Sequence, residues 1–166
     1  ARWFNLGDRD LATHVLRSEA LRSGLPLSAI TQTLAARLGV RHALLPMSDM
    51  PVRTRVKTAH GELAFQDYFV RARCRRRVQG FRFAGARSAI PAPALQTLMR
   101  SSRVRGLVIC PSNPFVSVAP ILAVPAIRAW LKRRDFPDQG AGGEDDARTQ
   151  TRGDGGGHCA ALRIAG

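Results

Sequence analysis

Lysine is nearly absent: Lys57 and Lys132 stand against 24 arginines in 166 residues. That skew weakens what the formal net charge of +14 would otherwise say. A large positive charge ordinarily points to a polyanionic partner. An excess carried by arginine alone, beside abundant Ala and Gly, is also what a GC-rich coding sequence produces, so a nucleic-acid partner is not expected. Cysteine is scarce as well. Cys74, Cys110 and Cys159 are odd in number, far apart and form no CxxC pair. No disulfide framework or zinc spacing is visible, which fits a reducing, cytoplasmic setting. The apolar runs are too short to cross a bilayer and no signal-peptide pattern opens the chain, so a membrane is not an expected partner. The first residue is Ala1 rather than Met, and the expectation is a fragment or a trimmed product.

What is present suits one domain, with 45% apolar residues to build a core. The stretch from Trp3 to His14 runs from aromatic and apolar residues into Gly7, Asp8, Arg9 and Asp10, then into helical spacing at Leu11 and Val15. Gly7 is free to adopt backbone angles that other residues avoid. Asp10 reads as the N-cap, its carboxylate accepting first-turn N–H groups. Leu11, Val15, Leu16 and Leu21 then describe an amphipathic helix ending near Gly24. A second helix follows, with Pro26 at its first position, Ser28 in its opening turn and an Ile30, Leu34, Leu38 stripe before Gly39. Val40 to Pro46 reads as a short buried strand delivering Met47 to Pro51 to a loop.

From Val52 to Thr58 the pattern alternates strictly, with Arg53, Arg55 and Lys57 on one face. A turn at Ala59-His60-Gly61 leads into a second alternating run through Phe65, Asp67 and Phe69, a β-hairpin pattern. Phe81 and Phe83 mark another short strand, preceded by Arg71, Arg73, Arg75, Arg76 and Arg77, which read as a solvated strand edge. Pro93 to Arg100 is predicted helical with Leu95, Leu98 and Met99 inward. Gly106 to Cys110 is an apolar run of the kind found in buried parallel strands. Pro125 to Arg134 is a last helix burying Ile127, Trp130 and Leu131. Helices alternating with strands predict an α/β fold, Rossmann-like and three-layered, with a mainly parallel sheet plus the hairpin. Residues 138–166 differ in character: they are rich in Gly, carry three Arg against five acids and show no apolar period. They are expected to be a disordered tail outside a domain spanning 1–137, and His158-Cys159 within them a chance pair rather than a metal site.

Four polar clusters end apolar segments: the Gly7–Asp10 loop, Ser48-Asp49, Gln66-Asp67 and Ser112-Asn113. In open α/β sheets ligands sit beyond the carboxyl ends of the strands. Proline on both sides of Ser112-Asn113 restrains the backbone, so that its polar groups meet a ligand at little entropic cost. Asp49 is suited to accept from a ring N–H or an amine. Arg9, Arg53 and Arg55 are suited to phosphate oxygens, where the planar fork matters. Each feature also has an ordinary reading, an Asx turn for Ser48-Asp49 and loop punctuation for the prolines.

The segments WFNLGDRDLATHVLRSEALRSGLPLS, LLPMSDMPVRTRV, FQDYFVRARC and PSNPFVSVAPILAVPAIR, in that order, resemble the 2-phospho-L-lactate transferase family of coenzyme F-420 biosynthesis. The similarity runs from about Trp3 to Pro137. It implies transfer of a phospholactyl or phosphoenolpyruvyl group from a guanosine diphosphate adduct to the deazaflavin FO, with release of GMP. By the resemblance, Gly7, Asp8, Arg9, Asp10 and His14 line a pocket near the acceptor, with Asp8 and Asp10 the catalytic carboxylates. Ser48, Asp49, Pro51, Val52 and Thr54 form a second substrate-binding motif, and Ser112, Asn113, Pro114 and Ser117 a third. Asp49 and Asn113 are the preferred groups for polar recognition of a ring. The resemblance also implies Mg2+, with ligands expected in a segment before Ala1 and none in this chain, and a homodimer of the full-length protein. Family members open with a glycine-rich strand and turn and continue past the last helix, so the 166-residue chain alone is expected to be a weak or inactive catalyst. Three other readings remain open at this point: a non-catalytic nucleotide or nucleotide-sugar binding regulator of related fold, a basic nucleic-acid module, and an inert truncated product.

Overall fold

Two Schellman turns bound the first third of the chain. The computed structural model describes residues 6–133 and the backbone of residues 162–165. Helix α1 (Asp8–Arg22) ends with Gly24 at φ +84°, its N–H donating to the Leu21 carbonyl while Leu25 donates to Ala20. Helix α2 (Leu27–Arg37) ends in the same way, with Gly39 and Val40 donating to Ala36 and Ala35. Both glycines take the left-handed position that satisfies the last carbonyls of a helix, which is why the two stops were readable.

Among the described residues nothing buries the apolar face of α1. Leu11, Val15, Leu16 and Leu21 are 52%, 58%, 49% and 43% exposed, and no residue of α1 is buried. Periodicity correctly specified a two-faced helix, but periodicity cannot say what lies against the face. Residues 40–46 form no strand either, and Leu44 and Leu45 are exposed. An apolar run of that length carries no period of its own to hold it in a sheet.

The described residues do not form the expected mainly parallel sheet, although the expected hairpin is present. Strands β1 (Arg53–Thr58), β2 (Gly61–Ala64) and β3 (Val78–Ala84) form a three-stranded sheet in the order β2-β1-β3, antiparallel throughout. Two strands joined by the two residues Ala59 and His60 have no choice, since a parallel neighbour needs a crossover of a dozen residues or more. Strand β4 (Gly106–Ile109), expected to be a buried parallel strand, pairs antiparallel with β5 (Leu162–Ala165). Its Val108 and Ile109 are 56% and 52% exposed. Strand β5 belongs to the Gly-rich segment expected to stand outside the fold; residues 138–161 and 166, His158-Cys159 among them, lie outside the described residues. The fold is therefore α/β with a small antiparallel sheet, and among the described residues no strand pair is parallel.

The hairpin stops sooner than its alternation implied. After Ala64 the chain turns into a π-helical segment, π1 (Asp67–Arg71), where Phe69 stacks on Phe65 with ring centroids 5.5 Å apart. Positions 65 and 69 belong to a strand's two-residue period and to a helix's four-residue spacing alike, so a short run does not distinguish the two. Arg71 ends π1 and the rest of the arginine run lies in a loop rather than along a strand edge, with Arg73 and Cys74 at φ 49° and 55° and the arginines exposed.

The core lies between helices and loop. Helix α3 (Pro93–Arg100) contributes Leu95, and α5 (Pro125–Arg133) contributes Ile127, beside Ala89 and Val124; Met47, Val52, Leu98, Met99, Ile121 and Leu131 pack against them. The segment between, π2 (Pro114–Val118) and the short α4 (Ala119–Leu122), leads into α5. No single helix among the described residues is long and apolar enough to cross a membrane.

At Gly85 the turn after β3 closes on the entry to β1. Its φ is +86°, and a Cβ there would stand 2.3 Å from the Pro51 carbonyl oxygen. Gly85→Ala is expected to destabilise the chain by about 2 kcal/mol or more in urea unfolding, because strain and overlap act together. Gly24→Ala, at φ +84° with nothing within 4 Å of the added carbon, carries only the left-handed penalty of about 1 kcal/mol. Equal losses at both sites would show that the Pro51 contact does not matter.

Candidate functional site

Helix α2 begins after Pro26, which has no side-chain oxygen with which to cap it. The cap comes from 21 residues further on. Asp49 Oδ1 accepts from the Ser28 backbone N–H at 2.6 Å and Asp49 Oδ2 from the Ser28 hydroxyl at 2.9 Å. A carboxylate at a helix N-terminus meets unpaired N–H groups and the positive end of the helix dipole together. Ser48, only 2% exposed, donates its hydroxyl to the Ile90 carbonyl at 2.7 Å and accepts from the Met50 N–H at 3.0 Å. Ala92 N–H donates to the Met47 carbonyl. The loop is thus pinned to the start of α2 on one side and to the approach to α3 on the other. Pro51 then meets Gly85, Val52 packs on the core, and Thr54 lies opposite Phe83 in the sheet.

Asn113 also caps a helix. Its Oδ1 accepts from Phe115 N–H at 3.0 Å and Val116 N–H at 3.1 Å, opening π2 with Pro114 at the first position. The Ser117 N–H donates to the Asn113 carbonyl. The side-chain oxygen is committed, so Asn113 offers a ligand its amide N–H groups. Ser112 Oγ is buried and has no hydrogen-bond partner among the described residues. Phe115 stacks on Phe81 at 5.8 Å, which ties this loop to β3.

The first motif is built differently from the expectation. Gly7, at φ −67°, is the N-cap and uses none of its extra freedom; Asp10 lies inside the first turn and makes no cap hydrogen bond. Asp8, Arg9, Asp10 and His14 are all exposed. Residues two apart on a helix face different ways, whereas four apart share a face. Asp10 and His14 therefore go together, while Asp8 falls beside Leu11 and Val15. Gln66 and Asp67, the fourth cluster, open π1 with no side-chain cap.

Two of the three motifs thus hang from one β-sheet. The Ser48–Thr54 segment runs into β1, and the Asn113 loop rests through Phe115 on β3, where Phe81 lies opposite Val56. The Asp8–His14 segment is carried by α1, which packs on α2, the helix that Asp49 caps. Among the described residues no three His, Cys, Asp or Glu side chains cluster as a metal would require. A hollow lined by Ala59, Arg77, Val78 and Gln79 lies at the hairpin end of the sheet and touches none of the three motifs. Burial, reinforced by Cys74, pushes the Tyr68 phenol above its ordinary value of 10.0.

Sequence reasoning passed over Ser28 as an opening-turn residue and did not name Ile90, Gly85, Glu62 or Arg82. One signal for Ser28 was present: a helix opening on Pro26 without an oxygen of its own has to borrow a cap from elsewhere.

Compared with known proteins, the chain matches the family model described as 2-phospho-L-lactate transferase CofD over residues 1–138. It is 44% identical over 139 residues to a phosphoenolpyruvate transferase of Streptomyces griseus, covering 81% of this chain and 43% of that protein. It is 42% identical over 131 residues to a phosphoenolpyruvate transferase of Thermobifida fusca, covering 76% and 40%. It is 38% identical over 129 residues to a 2-phospho-L-lactate transferase of Methanosarcina mazei, covering 78% and 42%. The chain spans about two fifths of the length of the curated relatives it matches.

Asp49→Ala removes both bonds to Ser28 and is expected to lower stability by about 1–2 kcal/mol in thermal unfolding. Ser28→Ala removes only the hydroxyl bond and should cost less. In the double variant the losses should fall short of additive, because the two side chains share one interaction; strict additivity would refute the shared cap.

Proposed function

The chain belongs to the 2-phospho-L-lactate transferase family, and we propose that it forms part of a transferase of coenzyme F-420 biosynthesis. In that reading a phospholactyl or phosphoenolpyruvyl group passes from a guanosine diphosphate adduct to the deazaflavin FO. The observation that carries it is the family match across residues 1–138, which holds all three polar motifs in order.

The chemistry is an in-line displacement at phosphorus. A side-chain hydroxyl of the acceptor forms the new P–O bond, the bond to GMP breaks, and the hydroxyl proton leaves to a base. Such transfers depend on positioning and charge neutralisation rather than on a covalent intermediate. We assign Asp8 and Asp10 to the acceptor side, with Asp10 and His14 sharing a helix face where a hydroxyl can be oriented and its proton taken. Gly7 and Arg9 complete that edge, Arg9 as a partner for a phosphate oxygen. Ser48, Asp49, Pro51, Val52 and Thr54 supply a stiff wall. Both Asp49 oxygens are engaged by Ser28, yet an ionised carboxylate keeps further acceptor capacity for a ring N–H. Ser112, Asn113, Pro114 and Ser117 form the other wall, with the Asn113 amide as donor. Mg2+, when bound by the whole enzyme, supplies neutralisation of phosphate charge; a homodimer of full-length chains belongs to the same reading.

The test is a chimera. Residues 1–138 of this chain replace the matching segment of the Streptomyces griseus relative, and GMP release is measured with FO and each guanosine diphosphate adduct. The chimera is expected to transfer with one adduct, and Asp10→Asn in it to lower kcat by about a hundredfold or more. The 166-residue chain alone is expected to release little GMP. A folded chimera that binds guanine nucleotide but never consumes FO would instead favour a binding regulator.

A further inference from the structure

The face of the three-stranded sheet opposite Val56 carries charge, and its register is unusual. Arg53, Arg55 and Lys57 alternate along β1 on that face. Arg55 lies directly opposite Arg82 of β3, and Lys57 opposite Glu62 of β2. Directly opposed residues in an antiparallel pair have Cβ atoms about 5 Å apart, where like charges are destabilising. The carboxylate available on this face is taken. Arg82 Nε donates to Glu62 Oε1 at 2.8 Å and Nη2 donates to Oε2, and that bond holds the Glu62 carboxyl below its ordinary value of 4.5. Arg53, Arg55 and Lys57 have no ion-pair partner among the described residues. Arg53, Lys57 and Arg82 are exposed and Arg55 half-buried.

We infer that this sheet face, centred on Arg55 and Arg82 with Lys57 and Arg53 beside them, is a binding site for a compact phosphate anion, a diphosphate in particular. Arg55 and Arg82 are directly opposed in register across a strand gap, and the Arg82 fork is held by Glu62. Lys57 lies two residues along β1 on the same face, its backbone position about 7 Å from that of Arg55. That patch matches adjacent phosphate groups rather than an extended polymer. Arginine presents the planar fork that phosphate oxygens accept in pairs. Glu62 competes with the anion for Arg82, so it sets affinity from within the site. The naming of the diphosphate as that of a guanosine nucleotide rests on the transferase reading; the anion site itself does not.

Titration calorimetry of the 166-residue chain at fixed ionic strength, with inorganic pyrophosphate and with GDP, tests this. Both are expected to bind. Arg55→Gln should weaken binding about fivefold or more. Glu62→Gln, which frees Arg82, should strengthen it. Arg128→Gln, the same charge change on an exposed position of α5, should leave it unchanged. Circular dichroism confirms that each variant is folded. Loss of affinity in Glu62→Gln, or an equal loss in Arg128→Gln, would overturn the site in favour of general charge attraction. GDP binding indifferent to all three variants would overturn it while leaving a nucleotide donor intact. Pyrophosphate binding with the expected pattern but no GDP binding would keep the anion site and remove the nucleotide. A single-stranded oligonucleotide that binds much more tightly than pyrophosphate, through the same arginines, would replace the diphosphate with an extended polyanion.

Discussion

Two adjacent side chains, Ser48 and Asp49, join three parts of this chain. Asp49 holds the first turn of α2 through the Ser28 N–H and hydroxyl, and the residue before it, Ser48, is bonded to the Ile90 carbonyl. The start of α2, the segment entering β1 and the approach to α3 therefore share a single node. A charged, partly buried group at a helix N-terminus is stabilised only while its partners stay in place. Displacing α2 leaves Asp49 and the helix N–H groups unsatisfied, and displacing the approach to α3 leaves the buried Ser48 hydroxyl without its Ile90 acceptor, so the constraint acts on all three segments. Gly85 reinforces the node from the sheet side by letting the turn after β3 touch Pro51.

The same node governs what the polar loops can offer a ligand. Ser48 and Asp49 are occupied with the fold, and Asn113 spends its oxygen on capping π2. This does not remove them from a binding role. It limits them to the lone pairs and N–H groups that remain, and it makes those groups rigid. A site assembled from such residues is organised before a substrate arrives, which is what transfer by positioning and electrostatics demands. The Asp8–His14 segment stands apart in this respect, since its side chains are exposed and no cap bond ties Asp8 or Asp10 down.

Charge is distributed with similar economy over the sheet. The inward face takes Val56, Phe81 and Leu63 in register, and the outward face takes the cations. Glu62 neutralises Arg82 across β1, and the remaining positive groups are left to solvent or to an anion. The pair's effect on stability has a definite sign. Because Arg82 lowers the Glu62 carboxyl, its contribution is present above the ordinary carboxylate range and fades as acid protonates the group. Both side chains are solvent-exposed, and screening keeps that contribution small.

Local chemistry was legible from the amino-acid string. Gly24 and Gly39 ended their helices where spacing and backbone freedom required, the Val52–Thr58 alternation placed Arg53, Arg55 and Lys57 on one face, and the ordered motifs identified the family. These features depend on contacts within a few residues, or on patterns long enough to be specific. Direction of pairing, cover and partnership were not legible. The hairpin was read correctly, but Gly106–Cys110, expected as a buried parallel strand, forms an antiparallel pair with Val108 and Ile109 exposed, and the apolar side of the amphipathic α1 leaves Leu11 and Val15 exposed. Only the tertiary structure decided that Ser28 holds Asp49 and that Arg55 meets Arg82. Both contacts join residues more than twenty positions apart, and nothing in either neighbourhood names the other. A short sequence window encodes which face wants burial and which turn can form; the identity of what sits across from it is a property of the whole packed chain.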